Sequence, residues 1–193
     1  MKKKYIALDL GNCCIKVDSN ECLKRLGIKS IEDIPKDFLN SCEKLECGLI
    51  KQNDWLCEFR KATGGIFSDE KLIESWNSII RDEIEGMAEV VKQITSLGYR
   101  IIILSDTSEL HLNYSMSKLS FSKLLSGGIY SFEVGERKPS EKMYRKFEEK
   151  FGIPLIYADD KIENIQAASA LGWNSHHFKD ATNFLEAFKK SIN

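Results

Sequence analysis

Several short apolar runs, three of which lead into acidic residues, constrain this chain more than anything else in it. Tyr5 to Leu10 (YIALDL) carries Asp9, Arg100 to Ser105 (RIIILS) is followed by Asp106, and Pro154 to Ala158 (PLIYA) leads into Asp159 and Asp160. Two more runs, Ile129 to Val134 (IYSFEV) and Trp173 to Phe178, read as further strands. Continuous rather than alternating apolar character suits strands covered on both faces. Helical periods lie between them. Val90, Val91, Ile94 and Leu97 share a stripe ahead of Gly98, and Met143, Tyr144, Phe147 and Phe151 share another after Ser140, a good N-cap. Ile162 to Leu171 stops at Gly172. Strands alternating with helices predict an α/β fold, a Rossmann-like parallel sheet core flanked by helices.

Residues 17–84 break this rhythm. They hold no convincing strand, and their helical stretches are joined at Gly27, Pro35, Gly48 and Gly64–Gly65. The reading is a small all-helical cap inserted after the first strand, with 1–16 and 85–193 as the core. At roughly 65 residues the insert far exceeds what a crossover needs. Rooted at a strand's C-terminal end, it sits where such sheets bind ligands, as a lid would.

In a parallel sheet the tips carrying Asp9, Ser105–Asp106 and Asp159–Asp160 fall on one edge. Carboxylates converging there repel one another unless some protonate or a cation neutralises them. Hard oxygen ligands with room for water suit Mg²⁺. Lys138, just before Pro139 and a helix start, brings an ammonium to the same edge. Each residue alone has a bland reading as a turn former, a solvated helix start or a surface lysine. Their joint order points to one site.

Composition narrows the partners. There are 28 Lys and Arg against 29 Asp and Glu, a formal charge of -1, with no basic excess for nucleic acid. The apolar start is too short for a signal peptide and no run reaches a membrane span. These features predict a cytoplasmic monomer acting on a small molecule. All six cysteines, Cys13, Cys14, Cys22, Cys42, Cys47 and Cys57, lie in the first third without a CxxC pair, so we read them as reduced thiols.

With these residues in place, the sequence resembles the haloacid dehalogenase-like (HAD) hydrolase superfamily over essentially its whole length. ALDLGN matches the first motif, IIILSDT the second, ERKPSEKMY the third and YADDKIENIQAASALG the fourth. DLGN with SDTSELH and RKP is most similar to the branch containing bacterial α-glucose-1-phosphatases. The resemblance implies a Mg²⁺-dependent phosphatase acting on a small phosphomonoester, such as a sugar phosphate, through an aspartyl-phosphate on Asp9. It implies Ser105 and Lys138 as catalytic partners, and Gly11, Asn12, Ser105, Asp106 and Lys138 as phosphate contacts, with the Gly11–Asn12 backbone N–H groups as a cradle. The implied metal set is Asp9, the Gly11 carbonyl, Asp159 and Asp160, with Asn164 completing the fourth motif.

Two residues depart from the pattern. Most phosphatases of the family carry a second Asp where this chain has Gly11, as general acid for the leaving group, so a poor leaving group should be turned over about 10²–10⁴-fold more slowly. Asp106 stands where the resembling branch has Asn, which leaves it turned away, protonated or repelling phosphate. A metal-independent 2-haloacid dehalogenase and a catalytically degenerate HAD-fold binding protein are the alternatives. His111 reads as an ordinary helix-surface histidine. Trp55, Phe59, Trp76 and Arg60 are candidate cap contacts, with packing inside the cap as the preferred role for the aromatics.

Overall fold

Successive side chains of a strand face opposite ways, and in the computed structural model, which describes residues 4–192, both sides of the central strands are buried. The chain begins with β1 (Tyr5–Leu8), β2 (Ile15–Val17), α1 (Asn20–Arg25), α2 (Lys36–Glu46), α3 (Gln52–Ala62), α4 (Asp69–Asn77) and β3 (Ile80–Glu83). It continues with α5 (Met87–Ser96), β4 (Arg100–Ser105), α6 (Glu109–Lys118), β5 (Gly128–Tyr130), α7 (Ser131–Val134) and α8 (Glu141–Phe151), then β6 (Tyr157–Asp159), α9 (Ile162–Ala170), β7 (Ser175–His177) and α10 (Ala181–Ile192). Ile6, Leu8, Ile101 and Ile103 pack on Val91 and Ile94 of α5 and Phe184 and Phe188 of α10. Ala7, Ile102 and Leu104 pack on Met143, Tyr144 and Phe147 of α8 and on Trp173. This is the helix-covered parallel sheet that the apolar runs predict.

The sheet order is β5-β4-β1-β6-β7, with every pairing parallel. Leu8 lies opposite Ile103 on one side and Ala158 on the other. The chain leaves β1 toward β4 and β5, then crosses back to β6. The direction of winding therefore reverses between β1 and β6, where sheets of this kind open a crevice for ligands. Asp9 and Asp159–Asp160 stand at that crevice.

Two sequence expectations need correction. The inserted segment is not all helix: β2 and β3 pair antiparallel at its two roots, Ile15 with Glu83 and Val17 with Ile80. Both are very short, and β3 (IRDE) has a single apolar residue, so no periodicity could reveal it. The run 129–134 is a strand only as far as Tyr130. Its remainder is α7, because Gly135 adopts φ +85° and turns its N–H back to Ser131 O at 2.8 Å.

Between the roots, α1 to α4 enclose their own core of Leu23, Phe38, Trp55, Phe59, Leu72 and Trp76. Phe38 stacks on Phe59 with ring centroids 4.5 Å apart, and Trp55 lies 5.1 Å from Trp76. The aromatics thus pack this core, as preferred, and Arg60 pairs with Asp69 at 3.0 Å. The end of α2 rests directly on α7. Gly48 adopts φ +64°, and a Cβ there would lie 2.1 Å from Phe132 O. Beside it the Ser131 hydroxyl donates to Glu46 O at 2.5 Å.

Candidate active site

The residue after β1 is Asp9, held in line by its N–H, which donates to Ala158 O at 2.9 Å. The Lys138 ammonium reaches it from the loop before α8. Lys138 Nζ lies 2.8 Å from Asp9 Oδ1, 2.6 Å from Asp159 Oδ2 and 2.8 Å from Leu104 O, so its three donors are all used. Burial opposes the lysine's charge, but Asp9, Asp159 and Asp106 together outweigh it and hold its pKa above the ordinary value. Burial pushes Asp9 up, to about 7, against the pull of Lys138. Asp159 is also buried, but the ammonium beside it and its hydrogen bonds keep it below the usual carboxylate range.

The two acids after β6 play different parts. Asp159 accepts from Lys161 N at 2.9 Å, Asn164 Nδ2 at 3.0 Å, Lys138 Nζ and the Tyr157 hydroxyl. Its oxygens are fully engaged, and a place directly on a metal does not fit it. Asp160 instead reaches the pocket, where Asn12 Nδ2 donates to its Oδ2 at 3.0 Å. Carboxylate oxygens of Asp9 and Asp160 and the sulfur of Cys13 lie within 4.8 Å of one another. Burial pushes the Cys13 thiol well up, so it stays a neutral, soft neighbour. Two carboxylates beside the Gly11 backbone, with open space for water or phosphate, fit a hard cation such as Mg²⁺. The six cysteines are free thiols, three of them buried.

A polar pocket of about 330 Å³ opens over Asp9, lined by Gly11, Asn12, Ser105, Asp106, Lys138 and Asp160. Ser105, at the tip of β4, is buried, and its hydroxyl makes only a long 3.4 Å contact with Asp106 O. That leaves it open to a phosphate oxygen. Asp106 turns one oxygen onto the Lys138 N–H at 2.8 Å, so it holds the lysine loop. Burial raises its pKa, against the pull of Lys138. Asn12 does not act as the predicted cradle: its N–H is committed to Ile15 O at 2.7 Å. The residue sits at φ +52°, a conformation Asn tolerates, and its side-chain oxygen accepts from Val17 N at 3.1 Å. It ties β2 to Asp160.

Three charged residues of this pocket escaped the sequence reading: Glu46, Arg137 and Lys161. Arg137 and Lys161 adjoin residues already singled out, a usable signal. Glu46 comes from α2 and meets Arg137 at 3.0 Å only through tertiary structure. His111 also needs correction. It is buried, stacked 4.7 Å from Trp76, with Nε2 3.0 Å from Trp76 O. Burial lowers its pKa to about 4, so it is neutral near pH 7 and is a poor proton donor.

A parallel sheet with a lysine-bridged acid cluster at its winding reversal, under a helical insert, defines a Rossmann-like α/β architecture. A family model described as haloacid dehalogenase-like hydrolase matches residues 16–177, and the chain belongs to that family. The matched span begins beyond Asp9, so the place of Asp9 rests on the geometry above. An HAD family enzyme from Bacteroides thetaiotaomicron, in complex with magnesium and inorganic phosphate, aligns with TM-score 0.76 and 20% identity over 92% of this chain and 95% of its own. An HAD-like family hydrolase predicted in Porphyromonas gingivalis aligns with TM-score 0.81 and 19% identity over 100% and 99%. A predicted phosphoglycolate phosphatase from Haemophilus somnus gives 0.60 and 15% over 95% and 92%. Among the described residues, no helix is long and apolar enough to cross a membrane.

Proposed function

We propose that the protein is a Mg²⁺-dependent phosphatase that hydrolyses small phosphomonoesters through an aspartyl-phosphate on Asp9. In this reading 17–84 is the cap and the remainder the core. The observation that carries it is the buried Asp9–Lys138–Asp159 chain beneath an open polar pocket. Asp9 and Asp160, with the Gly11 carbonyl, would hold the cation. Bound Mg²⁺ supplies positive charge that offsets repulsion between carboxylate and phosphate.

The chain's own groups do the rest. Lys138 holds Asp9 Oδ1, and its charge opposes protonation of Asp9. Ser105 positions a phosphoryl oxygen through its hydroxyl. Asp9 attacks phosphorus, the bond to the leaving oxygen breaks, and that oxygen takes a proton from solvent. Water then attacks the aspartyl-phosphate, returning Asp9 and releasing phosphate and a proton. Asp159 positions Lys138, and Asn164 in turn holds Asp159.

The placement of Asp160 favours this reading over a metal-independent dehalogenase. Without a cation its carboxylate would face Asp9 across the pocket with only Asn12 as a partner. The test is phosphate release from a panel of monoesters with Mg²⁺ or with EDTA. Release that needs Mg²⁺ and is lost in Asp9→Asn supports the reading; chloride release from 2-haloacids in EDTA contradicts it.

A further inference from the structure

Beside the phosphate pocket lies a second cavity of about 240 Å³, walled mainly by the core of the helical insert. Leu23, Leu26, Ile34, Phe38, Phe59 and Trp76 form its far side. Gly11, Val17, Ser105 and Asp106 line both spaces, so one molecule with its phosphate over Asp9 reaches the second cavity directly. The insert is therefore underpacked on the side facing Asp9, although cores otherwise close to near-crystalline density.

The chemistry of this wall is unsuited to a polyol. His111 is neutral and committed to Trp76 O, and Thr107 donates to Ser108 O at 3.2 Å. Glu46 is paired with Arg137, and Asp106 accepts the Lys138 N–H. Among fully buried polar atoms of the lining residues, Trp76 Nε1 and Ser115 Oγ have no partner, and Ser19 adds one hydroxyl that caps nothing. That is capacity for a few polar groups at most, whereas a hexose would bury several hydroxyls at a cost for each left unpaired. By volume, an apolar cavity of about 150 Å³ holds a benzene ring. This one takes a single six-membered ring with a short substituent.

We propose that the cavity is the leaving-group site, and that the substrate is a phosphomonoester of a compact, hydrocarbon-like alcohol or phenol, not of a sugar. The proposal rests on the phosphatase reading, because it needs phosphate over Asp9. It is tested by binding of non-hydrolysable phosphonates with Mg²⁺, followed by calorimetry on the wild-type chain. Cyclohexylmethylphosphonate should bind at least tenfold more tightly than methylphosphonate, and Leu26→Phe should erase most of that gain while leaving methylphosphonate affinity unchanged. Equal affinities for the two phosphonates in the wild type would overturn the leaving-group site even if the variant does not fold. Binding of neither would remove the phosphate site itself, and this proposal with it. In turnover, cyclohexylmethyl phosphate should exceed glucose 6-phosphate at least tenfold in kcat/KM, since both release a primary alkoxide on a six-membered ring. The reverse order with intact Mg²⁺-dependent turnover overturns the leaving-group site and leaves the phosphatase standing.

Discussion

Substituting His111 tests whether the insert and core pack as one closed structure. The imidazole is buried under Trp76 and neutral, with a pKa near 4 against 6.5 for the free side chain. The unfolded chain therefore binds more protons than the folded one between these values, and stability falls as pH drops through that window. From pH 7.5 to 5.0 the expected loss from this group is about 2 kcal/mol, and below pH 4 it approaches about 3 kcal/mol. Asp9 acts in the opposite sense, because its raised pKa favours the folded state at low pH and that contribution fades as pH rises toward 7. The difference between wild type and His111→Phe cancels Asp9 and isolates His111. Urea unfolding at both pH values should show the variant losing about 2 kcal/mol less than wild type on acidification. Parallel losses, within about 0.5 kcal/mol, would mean that His111 is solvated and can protonate in the folded state.

Five further substitutions, in three tests, follow from the geometry. Lys138→Met leaves Asp9 and Asp159 facing each other without the ammonium, and should cost about 3 kcal/mol of stability and at least about 10²-fold in phosphate release; unfolding and turnover that match wild type would contradict the bridging role. Asp160→Asn should weaken Mg²⁺ binding about tenfold with little loss of stability, whereas Asp159→Asn should lose about 2 kcal/mol by disturbing its buried hydrogen bonds; calorimetry and urea melts separate the two, and a reversed pattern would exchange their roles. Gly48→Ala should destabilise by about 2 kcal/mol or more, since its new Cβ meets Phe132 O, while Gly27→Ala, at φ +67° in open space, should cost about 1 kcal/mol; equal costs would show that α2 does not rest on α7.

What was legible in the sequence is what depends on neighbours along the chain. The runs around Ile6 and Ile102 are apolar on both faces, and their acid tips fall on one edge of a parallel sheet whatever the details of packing. The gathering of Asp9, Ser105, Lys138 and Asp160 around one pocket could be read this way. The division of labour between Asp159 and Asp160 could not, because it depends on Tyr157, Asn164 and Lys138 surrounding one carboxylate and not the other. Glu46 reaches Arg137 across 91 residues, and His111 is buried by Trp76, 35 residues away. The β2–β3 pair escaped because its residues take extended form from each other, with Val17 and the charged end of β3 largely outside the core.

Whether Asp9 carries the phosphoryl group is tested most directly by chemical capture of that intermediate. A monoester substrate is mixed with the Mg²⁺-loaded protein, quenched during turnover and reduced with borohydride, which converts an aspartyl-phosphate to homoserine. Homoserine is expected at position 9 by peptide mass spectrometry, dependent on Mg²⁺ and substrate. Phosphate release that continues in Asp9→Asn would contradict it.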